Sequence, residues 1–314
     1  MSDTLKKKIS IVSPCYNEEL NVEELYTEVK KVMNDLPQYE YEHIFIDNAS
    51  TDKTVEVLKR IAATDNKVKI IVNIRNFGHI RSPYYGLQQA YGDAVILMAS
   101  DLQDPPHLIK ELVQKWEAGN EIVVAVKNKS EENQLLFTIR KIYYSLIKKL
   151  SDVEQIKNFT GFGLYSQKFI EVLRTLNDPY PYFRGLITEI GFKRTEITYT
   201  QPVRKRGKTS NNFYSLYDLA MVGFINHSKF PIRLASLIGF GMSLVSLCVA
   251  MLYLIYKLLY WDRFEAGFAP VTIGLFFFGS IQLFFIGVIG EYVGAIHTQV
   301  KNRPLVIEKE RINF

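Results

Sequence analysis

Apolar positions in the first 126 residues follow two alternating rhythms. Short β-rich runs at Ile9–Ser13, His43–Ile46, Val68–Val72, Ala94–Met98 and Glu121–Val126 are each about one strand long. Between them the spacing predicts helices. The first spans Asn21–Asp35, with Val22, Leu25, Val29 and Val32 or Met33 on one face, and others follow at Thr54–Ala62, Tyr84–Tyr91 and His107–Ala118. Strands that alternate with helices imply βαβ units and a mostly parallel, Rossmann-like α/β sheet. Such sheets bind ligands beyond the carboxyl ends of their strands.

A third rhythm begins near residue 230. Leu234–Tyr256 and Ala266–Gly290 carry no charge, and about 20 apolar residues suffice to cross a bilayer as a helix. The short linker Trp261–Glu265 predicts a C-terminal two-helix transmembrane hairpin over about 232–258 and 268–294. Lys229 and Arg233 before it, and Lys301, Arg303, Lys309 and Arg311 after it, outnumber Arg263 in the linker, which places both flanks in the cytoplasm and the anchor in the cytoplasmic membrane as a multi-pass element. Phe213, Leu216, Tyr217, Ala220 and Phe224 recur at helical spacing, so 211–231 reads as interfacial helices or as a segment packed on the preceding domain. The expected division is a cytosolic catalytic domain at 1–210, the juxtamembrane segment, the hairpin within 232–298 and a cytosolic tail at 299–314. Met1–Lys8 is polar and Ile9–Tyr16 is strand-length, consistent with a cytosolic N-terminal part. Glu291, at the end of the second apolar run, fits the headgroup zone. Cys15 and Cys248 fall in different compartments and are not expected to pair.

With 314 residues, 47% hydrophobic and 23% charged, the chain is neither a disordered tail nor a disulfide-stapled miniprotein. The net charge of +5 conceals a split. Residues 1–126 hold 14 Lys and Arg against 19 Asp and Glu, whereas residues 127–210 hold 16 against 8. A basic block beside a membrane anchor is either an ordinary solvated face or a site for anionic headgroups and phosphates.

The residues at the strand ends are the chemical candidates: Pro14-Cys15-Tyr16-Asn17-Glu18-Glu19, Asp47-Asn48-Ala49-Ser50-Thr51-Asp52, and Ser100-Asp101-Leu102-Gln103-Asp104-Pro105-Pro106. Asp52 and Asp104 immediately precede helical segments and suit N-capping. Asp47 and Asp101 stand at strand termini, several residues before a helix, and are better placed to meet a ligand. Neither a glycine-rich phosphate loop nor a paired-histidine zinc pattern is present. A phosphate-rich ligand would therefore come with a cation held by oxygen, and Asp101 and Gln103 supply two hard oxygens for Mg²⁺ or Mn²⁺.

With these motifs, the terminal hairpin, Gly290-Glu291-Tyr292 and Val300-Lys301-Asn302-Arg303-Pro304, the chain resembles family 2 glycosyltransferases of the GT-A fold. Within them it is similar to the polyprenyl-phosphate glycosyltransferases, bacterial relatives of dolichyl-phosphate mannose synthase. The resemblance implies that Pro14, Tyr16, Asn17, Glu18, Ser100 and Asp101 bind a nucleotide-sugar. It implies that Asp47 recognises the base, which favours uracil and a UDP-sugar, and that Asp101 and Gln103 hold the metal. It also implies a homo-oligomer, a tetramer in relatives. Three positions depart from the family pattern: Ala99 replaces the first carboxylate of the metal motif, Gly161 stands where many relatives carry an Asp proposed as base, and Gly207-Lys208-Thr209-Ser210-Asn211 displaces a later Lys.

The expected reaction is inverting transfer of one sugar, a glucose-like hexose or N-acetylhexosamine, from a UDP-sugar to undecaprenyl phosphate at the cytoplasmic face. A phosphate monoester with its second pKa near 6 is largely dianionic at pH 7 and hardly needs a base, which accommodates Gly161. Asp104 is the fallback base if an alcohol is the acceptor, so Asp101 and Asp104 are the candidate catalytic residues. Arg204, Lys205, Arg206 and Lys208 are candidates for gripping the acceptor phosphate or the UDP diphosphate, or form a solvated charge run; Arg140, Lys127 and Lys141 are weaker candidates in the same block. A membrane-anchored glycosyltransferase with a non-phosphate glycan acceptor, or a processive polysaccharide synthase, is the alternative on the same fold, but the synthase's Q-x-x-R-W motif is missing around Trp116 and Trp261. A non-catalytic nucleotide-sugar scaffold is the other, and Asp47, Asp101 and Gln103 argue against it. Nothing points to nucleic acid as a partner.

Overall fold

A computed structural model describes residues 6–128, 156–202, 206, 230–260, 268–301 and 303–314. Eight strands form one sheet: β1 Lys8–Cys15, β2 Glu40–Asp47, β3 Val68–Asn73, β4 Ala94–Leu97, β5 Ile122–Lys127, β6 Phe159–Ser166, β7 Arg194–Tyr199 and β8 Glu308–Ile312. Their order is β7-β5-β6-β4-β1-β2-β3-β8. β1 runs parallel to β2 and β4, and β2 parallel to β3, while β6 is antiparallel to β4 and β5, and β8 is antiparallel to β3. Because β5 and β7 are parallel to each other, the carboxyl ends of β1, β2, β4, β5 and β7 and the first residues of β6 all reach one edge.

Helices α1 Val22–Asn34, α2 Thr54–Ala62, α3 Gly78–Gln88, α4 Ile109–Glu117, α5 Gln167–Thr175 and α6 Phe183–Glu189 accompany the sheet. The five expected strands all form. α1 buries Val22, Leu25, Val29, Val32 and Met33, with Glu23 and Glu24 in its first turn and Lys31 in its last, which complements the helix dipole. α3 differs from expectation: it begins at Gly78, not Tyr84, and ends at Gln88. Its first turns face a cavity and not the core, so they lack the apolar spacing that marks Tyr84 and Leu87. The helix expected from His107 starts as a 3-10 turn over Pro106–Leu108. In β6, a Cβ at Gly163 would lie 2.5 Å from the Val123 carbonyl oxygen, so close pairing with β5 admits only glycine.

The tail beyond residue 299 is not merely a tail. After the last helix the chain returns to the sheet as β8, with Ile74 N–H donating to Ile307 O (3.0 Å), the Tyr85 hydroxyl to Glu308 (2.8 Å) and Lys59 paired with Glu310 (2.6 Å). Two long helices precede it, α7 Phe230–Leu259 and α8 Phe268–Val300. They share a groove lined by Ile232, Ser246, Phe278 and Ile289 among others. Among the described residues Phe277–Val300 is long and apolar enough to cross a membrane, and Ala235–Ser246 is a shorter apolar stretch. α8 also runs past the expected end near residue 294. The juxtamembrane segment expected at 211–231 lies almost wholly outside the described residues, as does the linker from Trp261.

At the edge opposite the cavity, Glu42 is buried in β2 and joins three strands. It accepts from Ser10 Oγ (2.6 Å) and Lys8 Nζ (2.6 Å) of β1 and pairs with Lys69 Nζ (2.7 Å) of β3. Burial pushes its pKa up, but the hydrogen bonds from Lys69, Lys8 and Ser10 outweigh it and hold the carboxyl below its ordinary range. A carboxylate with a lowered folded pKa adds stability above its unfolded pKa and loses it as pH falls through the folded value. E42Q is expected to lower the unfolding free energy of the full chain in detergent by about 3 kcal/mol at pH 7, measured by urea denaturation. The difference from wild type should shrink below pH 4; equal stability at pH 7 would show that the cluster does not hold the strands together.

Candidate active site

The carboxyl edge of the sheet opens into a cavity of about 960 Å³. One wall comes from the loops after β1, β2 and β4. Pro14, Tyr16 and Glu18 line it, as does Asn48. The first two loops are laced together: Asn17 N–H donates to Ser50 Oγ (2.9 Å), Thr51 N–H donates to Asn17 Oδ1 (2.8 Å) and Glu18 N–H donates to Thr54 Oγ1 (2.9 Å). Asn17 adopts a φ of 57°, a conformation that asparagine tolerates better than most residues, and its side chain serves this lacing without lining the cavity.

Asp47, expected to face the base, does not line the cavity. It is fully buried, with one oxygen accepting from Ser50 N–H (2.9 Å) and the other from Ser50 Oγ. Burial raises its pKa, and the Ser50 hydrogen bonds partly oppose that. Asp47 therefore shapes the turn through Ala49, whose φ is 61°. Its neighbour Asn48 reaches the cavity, donating to Asn76 Oδ1 (2.9 Å) and accepting from Phe77 N–H (2.8 Å). Asp52 accepts from Thr54 N–H (3.0 Å) and so does hold the start of α2.

The loop after β4 carries the carboxylates. Ser100 Oγ donates to Pro14 O (2.9 Å), joining the ends of β4 and β1. Asp101 accepts from Gln103 N–H (3.2 Å), and Leu102 between them turns through a left-handed φ of 60° while its side chain packs against the core. That reversal leaves both Asp101 and Gln103 lining the cavity. Among the described residues no group of three or more His, Cys, Asp or Glu gathers to hold a metal. A hard cation on Asp101 and Gln103 would thus need further oxygens from its ligand, which a diphosphate supplies.

Asp104 lines the cavity but does not cap the following turn. Its buried carboxylate accepts from Ala99 N–H (2.9 Å) and from the Tyr199 hydroxyl of β7 (3.1 Å). Burial pushes its pKa up to about 6; the Ala99 and Tyr199 hydrogen bonds oppose the rise and the nearby Asp101 charge adds to it.

The far wall is basic and aromatic. Lys127 ends β5 and donates to Gln201 Oε1 (2.7 Å). Thr160, Gly161 and Phe162 open β6, with Gly161 at a φ of 108°, and Pro181, Tyr182, Phe183 and Arg184 complete the wall. Sequence reasoning missed Arg184, His79, Asn48 and Asn76. Lys127 was a minor candidate and stands in the cavity. Arg206, expected at the acceptor phosphate, instead donates to Leu20 O (3.0 Å) and lies 3.5 Å from Glu24 near the start of α1, away from the cavity lining. Arg140, Lys141, Arg204, Lys205 and Lys208 lie outside the described residues.

Residues 10–174 match the domain described as glycosyl transferase family 2. The chain belongs to that family. This glycosyltransferase is 35% identical over 299 residues to the uncharacterized glycosyltransferase YkcC of Bacillus subtilis, covering 95% of this chain and 92% of the relative. It is 32% identical over 304 residues to the SfII prophage-derived bactoprenol glucosyl transferase of Shigella flexneri, covering 96% and 98%. Its fold is that of glucosyl-3-phosphoglycerate synthase from Mycobacterium tuberculosis, solved in complex with Mn²⁺, uridine diphosphate and phosphoglyceric acid, at a TM-score of 0.50 and 19% identity over 70% of this chain and 76% of that one. The sheet is accordingly a GT-A-like α/β domain.

In this glycosyltransferase Asp104 carries a testable signature. A carboxyl whose folded pKa is raised binds its proton more tightly when folded, so it adds stability below the unfolded pKa and loses it as pH rises through about 6. D104N removes that titration. Between pH 4 and pH 7 the urea stability of wild type is expected to fall relative to the variant by about 3 kcal/mol. A difference independent of pH would mean that Asp104 is not held in a desolvated state.

Proposed function

We propose that this glycosyltransferase transfers a single sugar, a glucose-like hexose or N-acetylhexosamine, from a UDP-sugar to a polyprenyl phosphate at the cytoplasmic face of the membrane, with inversion at the anomeric carbon. The observation that carries the proposal is one cavity with carboxylates on one wall and cations on the other, in a chain similar over nearly its whole length to a bactoprenol glucosyl transferase. Pro14, Tyr16, Glu18, Asn48 and Ser100 cradle the nucleotide, while Asp47 and Asn17 hold that cradle in shape. Asp101 and Gln103 are the residues that would hold Mg²⁺ or Mn²⁺, which when bound neutralises charge on the departing diphosphate.

The acceptor phosphate, dianionic at pH 7, brings its own nucleophilic oxygen. An oxygen of that phosphate bonds to the anomeric carbon as the bond from that carbon to the UDP oxygen breaks, and the electron pair leaves with UDP. Attack from the opposite face inverts the centre. Asp104, largely ionised above pH 6, takes the proton from an acceptor that arrives as the monoanion. Helices α7 and α8 form the transmembrane hairpin. The return of β8 to the catalytic sheet supports this reading, because it requires the chain to leave α8 on the side of the sheet.

Full-length enzyme incubated with a panel of UDP-sugars, Mg²⁺ or Mn²⁺ and polyprenyl phosphate is expected to make a one-sugar glycolipid with at least one donor, detected by mass spectrometry. No glycolipid with any donor would refute the proposal. D101A is expected to lower metal-dependent turnover at least 100-fold while leaving the unfolding midpoint in place. An unchanged rate would remove Asp101 from the site.

A further inference from the structure

Arg184 has a setting that the family likeness does not account for. Phe183 beside it is wedged among aromatic rings, with centroids 5.1 Å from Tyr165, 6.3 Å from Tyr84 and 6.3 Å from Phe169. The backbone at position 184 is thereby fixed, and the Arg184 side chain, half-buried, lines the cavity. Among the described residues it makes no hydrogen bond or ion pair. Lys127, the other cation of that wall, is by contrast held by Gln201. A guanidinium stays charged at any physiological pH and carries five donors in a planar fork. Half-buried on the cavity wall facing the carboxylates, and with no hydrogen bond or ion pair to a described residue, it is poised for a tetrahedral oxyanion that both prongs can grip.

Two phosphate sources are conceivable in the reaction, the donor diphosphate and the lipid acceptor, and position separates them. The donor's cradle is built on the loops after β1, β2 and β4. The segment that carries Arg184 is instead tied to the apolar helix α8: Asp178 Oδ1 accepts both from Gln299 Nε2 in the last turn of α8 (2.9 Å) and from Tyr180 N–H (2.9 Å). Arg81 of α3 lies over the Tyr180 ring at 5.3 Å, which ties the same segment to α3. Along the last turns of α8, Val293, Ile296 and Val300 are exposed and apolar. A headgroup whose chain lies against α8 thus enters the cavity at the Arg184 wall.

We propose that Arg184 binds the phosphate of the lipid acceptor, and that the contact between Gln299 and Asp178 positions it. The proposal rests on the lipid-phosphate reading above. Its test is steady-state kinetics of the full-length enzyme in nanodiscs, varying polyprenyl phosphate and UDP-sugar separately, together with calorimetric titration of UDP. R184A is expected to raise the KM for polyprenyl phosphate at least tenfold, with UDP affinity and donor KM within twofold of wild type. R184K should recover part of the loss, since it restores the charge without the fork. Q299A should raise the acceptor KM less and leave kcat in place, as befits a positioning residue. Weakened UDP binding in R184A would assign Arg184 to the donor and overturn the proposal, as would an unchanged acceptor KM in an enzyme that makes glycolipid. A wild-type enzyme that makes no glycolipid would instead refute the parent reading, and this proposal with it.

Discussion

The buried carboxylate of Asp104 is the constraint on which the site depends. It sits at the end of the loop after β4 and reaches back to the N–H that begins that loop, at Ala99, while its other oxygen takes the hydroxyl of Tyr199 from β7. One side chain thus closes the loop after β4 on itself and joins it to a strand three places along the sheet. Burying a carboxylate is costly unless donors compensate it, and here two donors leave its pKa still raised. The closure confines Ser100, Asp101, Leu102 and Gln103 to a short bridge. Within it, Leu102 anchors inward and Asp101 and Gln103 face the cavity. Ala99 contributes its backbone N–H to the closure.

From that bridge the two walls of the cavity follow from topology. The parallel strands deliver the acidic and amide side chains of the first wall at their carboxyl ends. Insertion of the antiparallel β6 between β4 and β5 brings Gly161 and Phe162 to the same edge, and Lys127 and Gln201 follow from β5 and β7. The sheet is held at its opposite edge by Glu42 among Lys8, Lys69 and Ser10. Beyond β3, β8 fastens the end of the chain to the domain, so that α8 is connected to the catalytic sheet on two counts, through β8 and through Gln299 with Asp178.

The parts of this arrangement that are readable from residues alone are those with a local signature. Strands β1 to β5 are buried parallel strands and read as apolar runs; α1 and α2 carry one apolar face each. Asp101 and Gln103 stand out in the sequence because carboxylate and amide oxygens lie at a strand end with no helix to cap, and the structure puts both on the cavity lining. What escaped did so for physical reasons. β6 is broken by Gly161 and Gly163, whose value lies in backbone geometry, and β8 reads Glu-Lys-Glu-Arg-Ile because it is an edge strand with solvent on its faces. A strand-end carboxylate looks the same whether it meets a ligand or its own turn, so Asp47 was placed at the base when it in fact grips Ser50. Arg184 is a single cation between aromatic residues, and only the tertiary packing of Phe183 reveals where it stands. Of the described residues in the basic block, Lys127 lines the cavity, whereas Arg206 lies beside Glu24.

The central claim is that one cavity joins a sugar to a lipid phosphate in a single displacement. It is tested most directly by determining the mass and anomeric configuration of the product made from a UDP-sugar and polyprenyl phosphate by the full-length enzyme. The account predicts a phosphodiester bearing one sugar, with configuration opposite to that of the donor. A polymer, free sugar as the sole product, or retained configuration would contradict it.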